Sequence, residues 1–204
     1  MENQQDDKKK QIQISKTMSW ILRHGIIKLG LKIDELGRIP LETLLKQKQI
    51  IELGADEQII KQIVQNNDKQ RFRLDLVNGI YMIGANQGHG KEIGSQISDN
   101  KLMELITVPV ELCVHGTYKK VINEIKKTGL KCMERTHIHM ATGFPNDLTV
   151  ISGARNSANV FVVIDMKMAM DDGIVFYRSA NNVILSKGIN GVIEPKYFSN
   201  IIYR

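Results

Sequence analysis

The sequence predicts an α+β protein of two lobes, and three observations carry the prediction. Apolar residues recur at helical spacing through the first third of the chain. A pair of alternating segments around Asn78-Gly79 then reads as a hairpin. Beyond about residue 95, short apolar or alternating runs bounded by turn residues outnumber helical stretches. The 204 residues are 42% hydrophobic, 25% charged and 5% aromatic, enough apolar content for one good core or two small ones and too much for a disordered chain.

In order along the chain, residues 1–13 are rich in Gln, Asp and Lys and include Lys8-Lys9-Lys10, which predicts a flexible polar tail. Ser15 is placed as an N-cap for a first helix to His24 through Ile14, Met18, Ile21 and Leu22, with Gly25 as the stop. Pro40 opens a second helix through Leu41, Leu44 and Leu45, and Asp56 a third through Ile59, Ile60, Ile63 and Val64. Phe72–Leu76 and Ile80–Ile83 pair as strands across Val77-Asn78-Gly79. Three helices followed by a hairpin is the winged-helix order, so residues 14–95 are read as a winged-helix lobe. The polar stretch Gly88–Lys101 reads as a linker. In the second lobe, residues 96–204, strands are expected at Glu111–Val114, Arg135–Met140, Leu148–Ser152, Val160–Asp165, Ile174–Ser179 and Asn182–Ser186, with a helix at Tyr118–Lys127 stopped by Gly129.

A net charge of +6 suits a polyanionic partner but decides little alone. No run approaches the roughly 20 apolar residues of a membrane span, and the start is polar where a signal peptide is apolar. The expected location is therefore the cytoplasm, with the nucleus left open for a eukaryotic source, and no membrane partner is expected. Cys113 and Cys132 lack metal or redox spacing and are read as reduced structural thiols.

The familiar catalytic signatures are missing: no GxGxxG after a strand, no Walker loop, no HExxH and no GxSxG. What stands out is the placing of five histidines. They fall in Leu22-Arg-His-Gly25, Asn86-Gln-Gly-His-Gly90, His115-Gly-Thr117 and Arg135-Thr-His-Ile-His139. On a strand, Arg135, His137 and His139 would share one face over about 13 Å, a row of anion-seeking or proton-handling groups. The plainer reading is the polar face of an edge strand. A metal reading of His137 and His139 lacks further ligands at a recognised spacing, so no metal is expected. Arg23 and His24 leave a helix about 100° apart and could bracket one ligand, or merely complement the helix dipole. Arg71 enters the hairpin, where a basic residue is commonly a solvated flank. Three arginines and a histidine suit a phosphate substrate, since planar forks grip a dianion and imidazole moves a proton.

These blocks, together with Asn67-Asp-Lys-Gln-Arg-Phe72, Ala85-Asn-Gln-Gly-His89, Ser152-Gly-Ala-Arg155, Asp172-Gly-Ile-Val-Phe-Tyr177 and Asn182-Val-Ile-Leu185, resemble in their order the NAD-dependent RNA 2′-phosphotransferase family. The resemblance spans nearly the whole chain. It implies that the winged-helix lobe helps to hold RNA and that residues 96–204 form an ADP-ribosyltransferase-like lobe holding NAD+ as co-substrate. The family's catalytic set falls on Arg23, His24, Arg71 and Arg135; the NAD+ contacts fall on His115, Gly116 and Thr117, with His139, Ser152, Gly153 and Arg155 nearby. The implied partners are 2′-phosphorylated RNA, a spliced tRNA in particular, and NAD+, and the expected state is a monomer.

The implied reaction transfers an internal RNA 2′-phosphate to NAD+ through an ADP-ribosylated RNA intermediate. Its products are 2′-hydroxyl RNA, nicotinamide and ADP-ribose 1″,2″-cyclic phosphate. The chain departs from the family pattern at Gly84, where arginine is usual, at Gly90, where serine is usual, and mildly at Ala154. Two alternatives remain: an ADP-ribosyltransferase acting on terminal phosphates of RNA or DNA, and a catalytically idle RNA-binding module.

Overall fold

The computed structural model describes residues 2–145, 150, 152–153 and 157–204. The chain divides into two compact units, residues 1–98 and 99–204, each with its own core. Helices crowd the first unit and strands the second, a mixed architecture compatible with α+β.

The first unit begins with helix α1 (Glu2–Trp20), which passes directly into a π-helical turn, Ile21–Gly25. Ile14, Met18, Ile21 and Leu22 are fully buried, as their spacing predicts. The expected start is corrected: Ser15 lies inside the helix, and residues 2–13, read as a flexible tail, are helical, with 6–13 exposed. Gln, Lys and Ile are helix formers and no Gly or Pro precedes Gly25, so a turn nucleated on the apolar stretch can propagate backwards.

Next come strand β1 (Arg38–Pro40), helices α2 (Leu41–Leu45), α3 (Lys48–Ile51) and α4 (Glu57–Gln65), then strands β2 (Phe72–Val77) and β3 (Ile80–Ala85). Pro40 precedes α2 at φ −56°, and the Asp56 carboxylate caps α4 by accepting the Ile59 N–H at 2.8 Å. Asn78 and Gly79 both take positive φ, 50° and 80°, which turns β2 tightly into β3. The three strands form an antiparallel sheet in the order β1-β3-β2. β1 and α3 are additions to the sequence reading; three or four residues carry too little periodicity to be read.

The expected linker is also corrected. Residues 88–101 contain helices α5 (Lys91–Gly94) and α6 (Asp99–Leu102), and Ile93 is buried in the first core. Ile93 and the partly buried Ile97 anchor to the first core what composition presents as a polar connection, while the division between the two units, after Ser98, does fall within it.

The second unit continues with β4 (Glu104–Ile106), β5 (Val114–Thr117), α7 (Lys119–Thr128), β6 (Leu130–Lys131), β7 (Ile138–Ala141) and β8 (Val160–Ile164). Then follow α8 (Met166–Asp171), β9 (Phe176–Arg178), β10 (Val183–Ser186), β11 (Val192–Ile193), a 3-10 turn at Pro195–Tyr197 and β12 (Phe198–Tyr203). Seven strands form an antiparallel sheet in the order β12-β8-β5-β7-β10-β9-β4, while β6 and β11 pair separately. β8 explains its unbroken apolar run. Val160, Val162 and Ile164 join a core with Ile122 of α7 and Met166 and Ala169 of α8, whereas Phe161 packs with Val114 and Ala158 in another. Two expected strands start late. His115-Gly116-Thr117 lies within β5 instead of beyond a strand at Glu111–Val114, and β7 begins at Ile138, leaving Arg135–His137 outside it. The strand expected at Leu148–Ser152 falls largely outside the described residues. Within them, no helix is long and apolar enough to cross a membrane.

Candidate active site

In the first unit, one loop ties together the segments bearing three of the expected catalytic residues. Arg23 and His24 sit in the π-helical turn, Arg23 half-buried and His24 exposed. Arg71 precedes β2, where the Asn67 side-chain oxygen accepts from its backbone N–H at 3.1 Å and from its Nη1 at 3.3 Å. The loop after β3 holds both. The Asn86 backbone N–H donates to the Arg71 carbonyl at 2.9 Å, and the Asn86 side-chain amide donates to the carbonyls of Gln70 and Phe72. Four residues on, the Gly90 N–H donates to the Arg23 carbonyl at 2.9 Å. Gly88 between them has φ +88°, and a Cβ there would lie 3.4 Å from Arg23 Nε, so a bare backbone lets the guanidinium lie against the loop.

Two of the three departures named above have local accounts, and the third, Ala154, lies outside the described residues. Gly90 has φ −67° and ψ 159°, a conformation open to serine as well, so glycine is not required there. Gly84 is paired across the sheet with Arg38 on one side and Arg73 on the other. A Cβ at 84 would meet Arg38 Cγ at 3.0 Å and Arg73 Nη2 at 3.3 Å, so two arginines fill the space a side chain would need. Both are committed elsewhere. Arg38 bridges Asp34 and Asp75, each at 2.8 Å, and Arg73 donates to the carbonyls of Ala85 and Leu36. Burial pushes the Asp34 carboxyl up, but the Arg38 backbone N–H and guanidinium outweigh it and hold it below the usual carboxylate range.

In the second unit, Arg135, His137, His139 and His115 line one cavity of about 720 Å³, a size typical of small-molecule sites. Val121, Ile125 and Met133 make part of its wall apolar, and Glu124 and Glu134 also face it. The row of Arg135, His137 and His139 does converge, but around a cavity and not through the pleat of one strand, because β7 contains only His139 of the three. His115 Nδ1 lies 2.8 Å from the His139 carbonyl oxygen, and His139 Nδ1 lies 3.0 Å from the His137 carbonyl oxygen. A carbonyl only accepts, so each ring donates from Nδ1.

Gly116 and Thr117 follow His115 in β5, with Thr117 buried. Gly153 packs on the end of β7, where a Cβ would meet the Met140 carbonyl at 2.8 Å; Ser152 is half-buried beside it. Arg155 lies outside the described residues. Cys113 is buried and free, its thiol pushed up to about 12 by burial, which suits packing and not nucleophilic chemistry. Among the described residues, no cluster of three or more His, Cys, Asp or Glu is arranged to hold a metal ion.

Residues 9–188 match the family model described as "RNA 2′-phosphotransferase, Tpt1 / KptA family". The chain belongs to the RNA 2′-phosphotransferase family. It is 42% identical to the tRNA 2′-phosphotransferase 1 of Homo sapiens over 197 residues, covering 94% of this chain and 75% of the human protein. The tRNA 2′-phosphotransferase of Saccharomyces cerevisiae is 37% identical over 188 residues, 89% of this chain and 80% of the yeast protein. A Schizosaccharomyces pombe relative is 41% identical over 190 residues, 93% of this chain, and this chain spans about half of that protein's length, 51%.

Sequence reasoning picked out the Ala85–His89 block but not what Asn86 and Gly88 do. It missed Asn67 as the support of Arg71, and it missed Asp99 altogether, which touches His137 in the second unit. Asp99 sits in a polar stretch with no distinguishing pattern, so no local signal exists for it.

Proposed function

We propose that this protein removes the internal 2′-phosphate of RNA, at the junction of a spliced tRNA, by transferring it to NAD+. The match to the family across residues 9–188 carries the reading. Residues 14–95 then act as a winged-helix lobe for RNA, a reading supported by the run of helices α1 to α4 followed by the β2–β3 hairpin. Residues 96–204 act as an ADP-ribosyltransferase-like lobe for NAD+, supported by the cavity at Arg135. The cavity fits such a ligand chemically: its apolar wall suits a base, its arginine suits a pyrophosphate, and the His115 and His139 rings are held at its wall through their Nδ1 bonds. Gly116, Thr117, Ser152, Gly153 and Arg155 complete the proposed contacts.

In the first step a 2′-phosphate oxygen attacks the ribose carbon bearing nicotinamide, and the carbon–nitrogen bond breaks to release neutral nicotinamide. The nucleophile is already an anion, so no carboxylate base is needed. In the second step the neighbouring ribose 2″-hydroxyl gives up its proton and attacks phosphorus, and the bond to the RNA 2′-oxygen breaks, so that in net one proton passes from the 2″ oxygen to the RNA oxygen. Two charges need attention there. Arg23, Arg71 and Arg135 stabilise the phosphoryl oxygens, and His24, the exposed member of the set, delivers the proton that the departing RNA oxygen takes up. Neither step as written calls for a Lewis acid, so activity should persist in chelator.

The test incubates the protein with an oligonucleotide bearing one internal 2′-phosphate, with and without NAD+, and resolves the products by mass. Loss of the phosphate together with ADP-ribose 1″,2″-cyclic phosphate, only when NAD+ is present, is the expected result. A stalled ADP-ribosylated RNA would replace this reading with a transferase that ends at the first step, and unchanged RNA would replace it with a binding module.

A further inference from the structure

Trp20 is the only tryptophan in the chain and ends α1 immediately before the π-helical turn that carries Arg23 and His24. Its neighbours Ile21 and Leu22 are fully buried, yet Trp20 is 39% exposed. A large aromatic ring left in water beside a core forgoes the burial that drives folding. Among the described residues the ring has no aromatic or cationic partner either.

The turn fixes how the ring lies. A π-helical turn joins residue i to i+5, so Gly25 sits over Trp20, and His24, exposed and four residues on, shares that side of the helix. A Cβ at Gly25 would lie 3.0 Å from Trp20 Cζ3 and 3.2 Å from both Cε3 and Cη2. Nearly equal distances to three adjacent ring carbons place Gly25 over the face of the indole and not at its edge. The bare backbone packs there and holds the ring against the turn. The surrounding chain is cationic: no aspartate or glutamate occurs between Asp7 and Asp34, while Lys16, Arg23 and Lys28 do.

We propose that Trp20 is a base-binding subsite, on which a base at or next to the 2′-phosphorylated nucleotide stacks while Arg23 and His24 meet the phosphate. An aromatic plate beside cations suits unpaired nucleotides, whose bases stack while their phosphates pair with positive charge. Residues four apart on a helix have Cβ atoms roughly 5–6 Å apart, a span that a single nucleotide bridges from phosphate to base. NAD+ also carries bases, but the cavity proposed for it is lined by residues between His115 and His139.

This inference rests on the RNA reading above, and its test separates the two. Because the chain has one tryptophan, tryptophan emission reports on this ring alone. The protein is titrated, without NAD+, with the 2′-phosphorylated oligonucleotide and with a copy that is abasic at the phosphorylated nucleotide and its two neighbours. Saturable quenching by the first and little by the second is expected. In steady-state assays Trp20→Ala should raise the KM for the oligonucleotide roughly tenfold, with the KM for NAD+ within about two-fold. Trp20→Phe keeps a ring and should recover part of that loss. Trp20→Leu fills the space over Gly25 without a plate and should not. A Leu variant as good as the Phe variant reduces Trp20 to packing and overturns the subsite. Equal quenching by the two oligonucleotides overturns it too, and so does quenching by NAD+ alone, which would give the ring to the co-substrate. If Trp20→Ala does not fold, the Phe and Leu variants decide. If the parent turns over no 2′-phosphate, the activity reading fails, while the titrations still decide whether a base stacks on Trp20.

Discussion

At the scale of single residues, the backbones of Arg71 and Arg23 are fixed by neighbouring segments, and Asn67 also accepts from the Arg71 guanidinium. Asn67 and Asn86 grip Arg71 at both ends of its peptide unit, and Gly90 grips the Arg23 carbonyl. Side chains anchored in this way can be truncated with little loss of fold. Arg71→Ala should leave the first step running and starve the second, so ADP-ribosylated RNA builds up in a single-turnover time course resolved by mass. Normal product yield from that variant would remove Arg71 from the second step. Gly88→Ala probes the other arm. The new methyl is strained by about 1–2 kcal/mol at φ +88°, while it meets the Arg23 side chain at an ordinary contact distance of 3.4 Å. The melting temperature should fall by about 2–8 °C through the strained loop, and any loss of turnover should track that shift, because the methyl itself does not displace Arg23.

Elements show how local chemistry sets the frame around those residues. α4 carries the chain towards Asn67 and Arg71, and its N-terminus depends on one carboxylate, Asp56, accepting from Ile59. Asp56→Ala should cost about 1 kcal/mol, read as a melting temperature lowered by about 2–4 °C, with unchanged kcat. Its Asn substitution should recover most of that loss, since an amide oxygen caps nearly as well. The helix cap, the Asn78-Gly79 hairpin and the Pro40 start were all legible because each is a local rule involving neighbouring residues. The start of α1 was not. A polar run is compatible with a tail or with a solvated helix, and the apolar core under Ile14–Leu22 decides between them. The residues leading into β7 misled for a related reason. Arg-Thr-His-Ile-His alternates as a strand does, yet only Ile138 onward finds a partner in β10.

For the molecule as a whole, half-buried carboxylates set the acid limit of stability. Asp34 in the first unit and Asp99 in the second are both held below the ordinary value of 3.8 by nearby cations and donors. A carboxyl with a depressed folded-state value contributes stability above its unfolded value, and that contribution drains as pH falls through the folded one. Urea midpoints should therefore be level from pH 7 to about pH 5 and drop below about pH 4. The Asp34→Asn, Asp99→Asn double variant should be less stable near neutrality and should converge with the parent at the acid end. A constant gap at all pH values would show that the loss lies in packing and not in charge.

The sequence by itself determined the family and, through it, the four expected catalytic positions, because eight short blocks in one order need no coordinates to be recognised. It also determined the core faces and the Asp56 cap, which depend on spacing and on neighbours a few residues apart. Only the tertiary structure decided what supports those positions. Asn67 and Asn86 reach Arg71 from opposite sides of a turn, Arg73 and Arg38 fill the space over Gly84, and Asp99 meets His137 and Lys187 from 38 and 88 residues away in the chain. Contacts between residues so far apart follow from strand register and helix packing, and no periodicity in the chain encodes them.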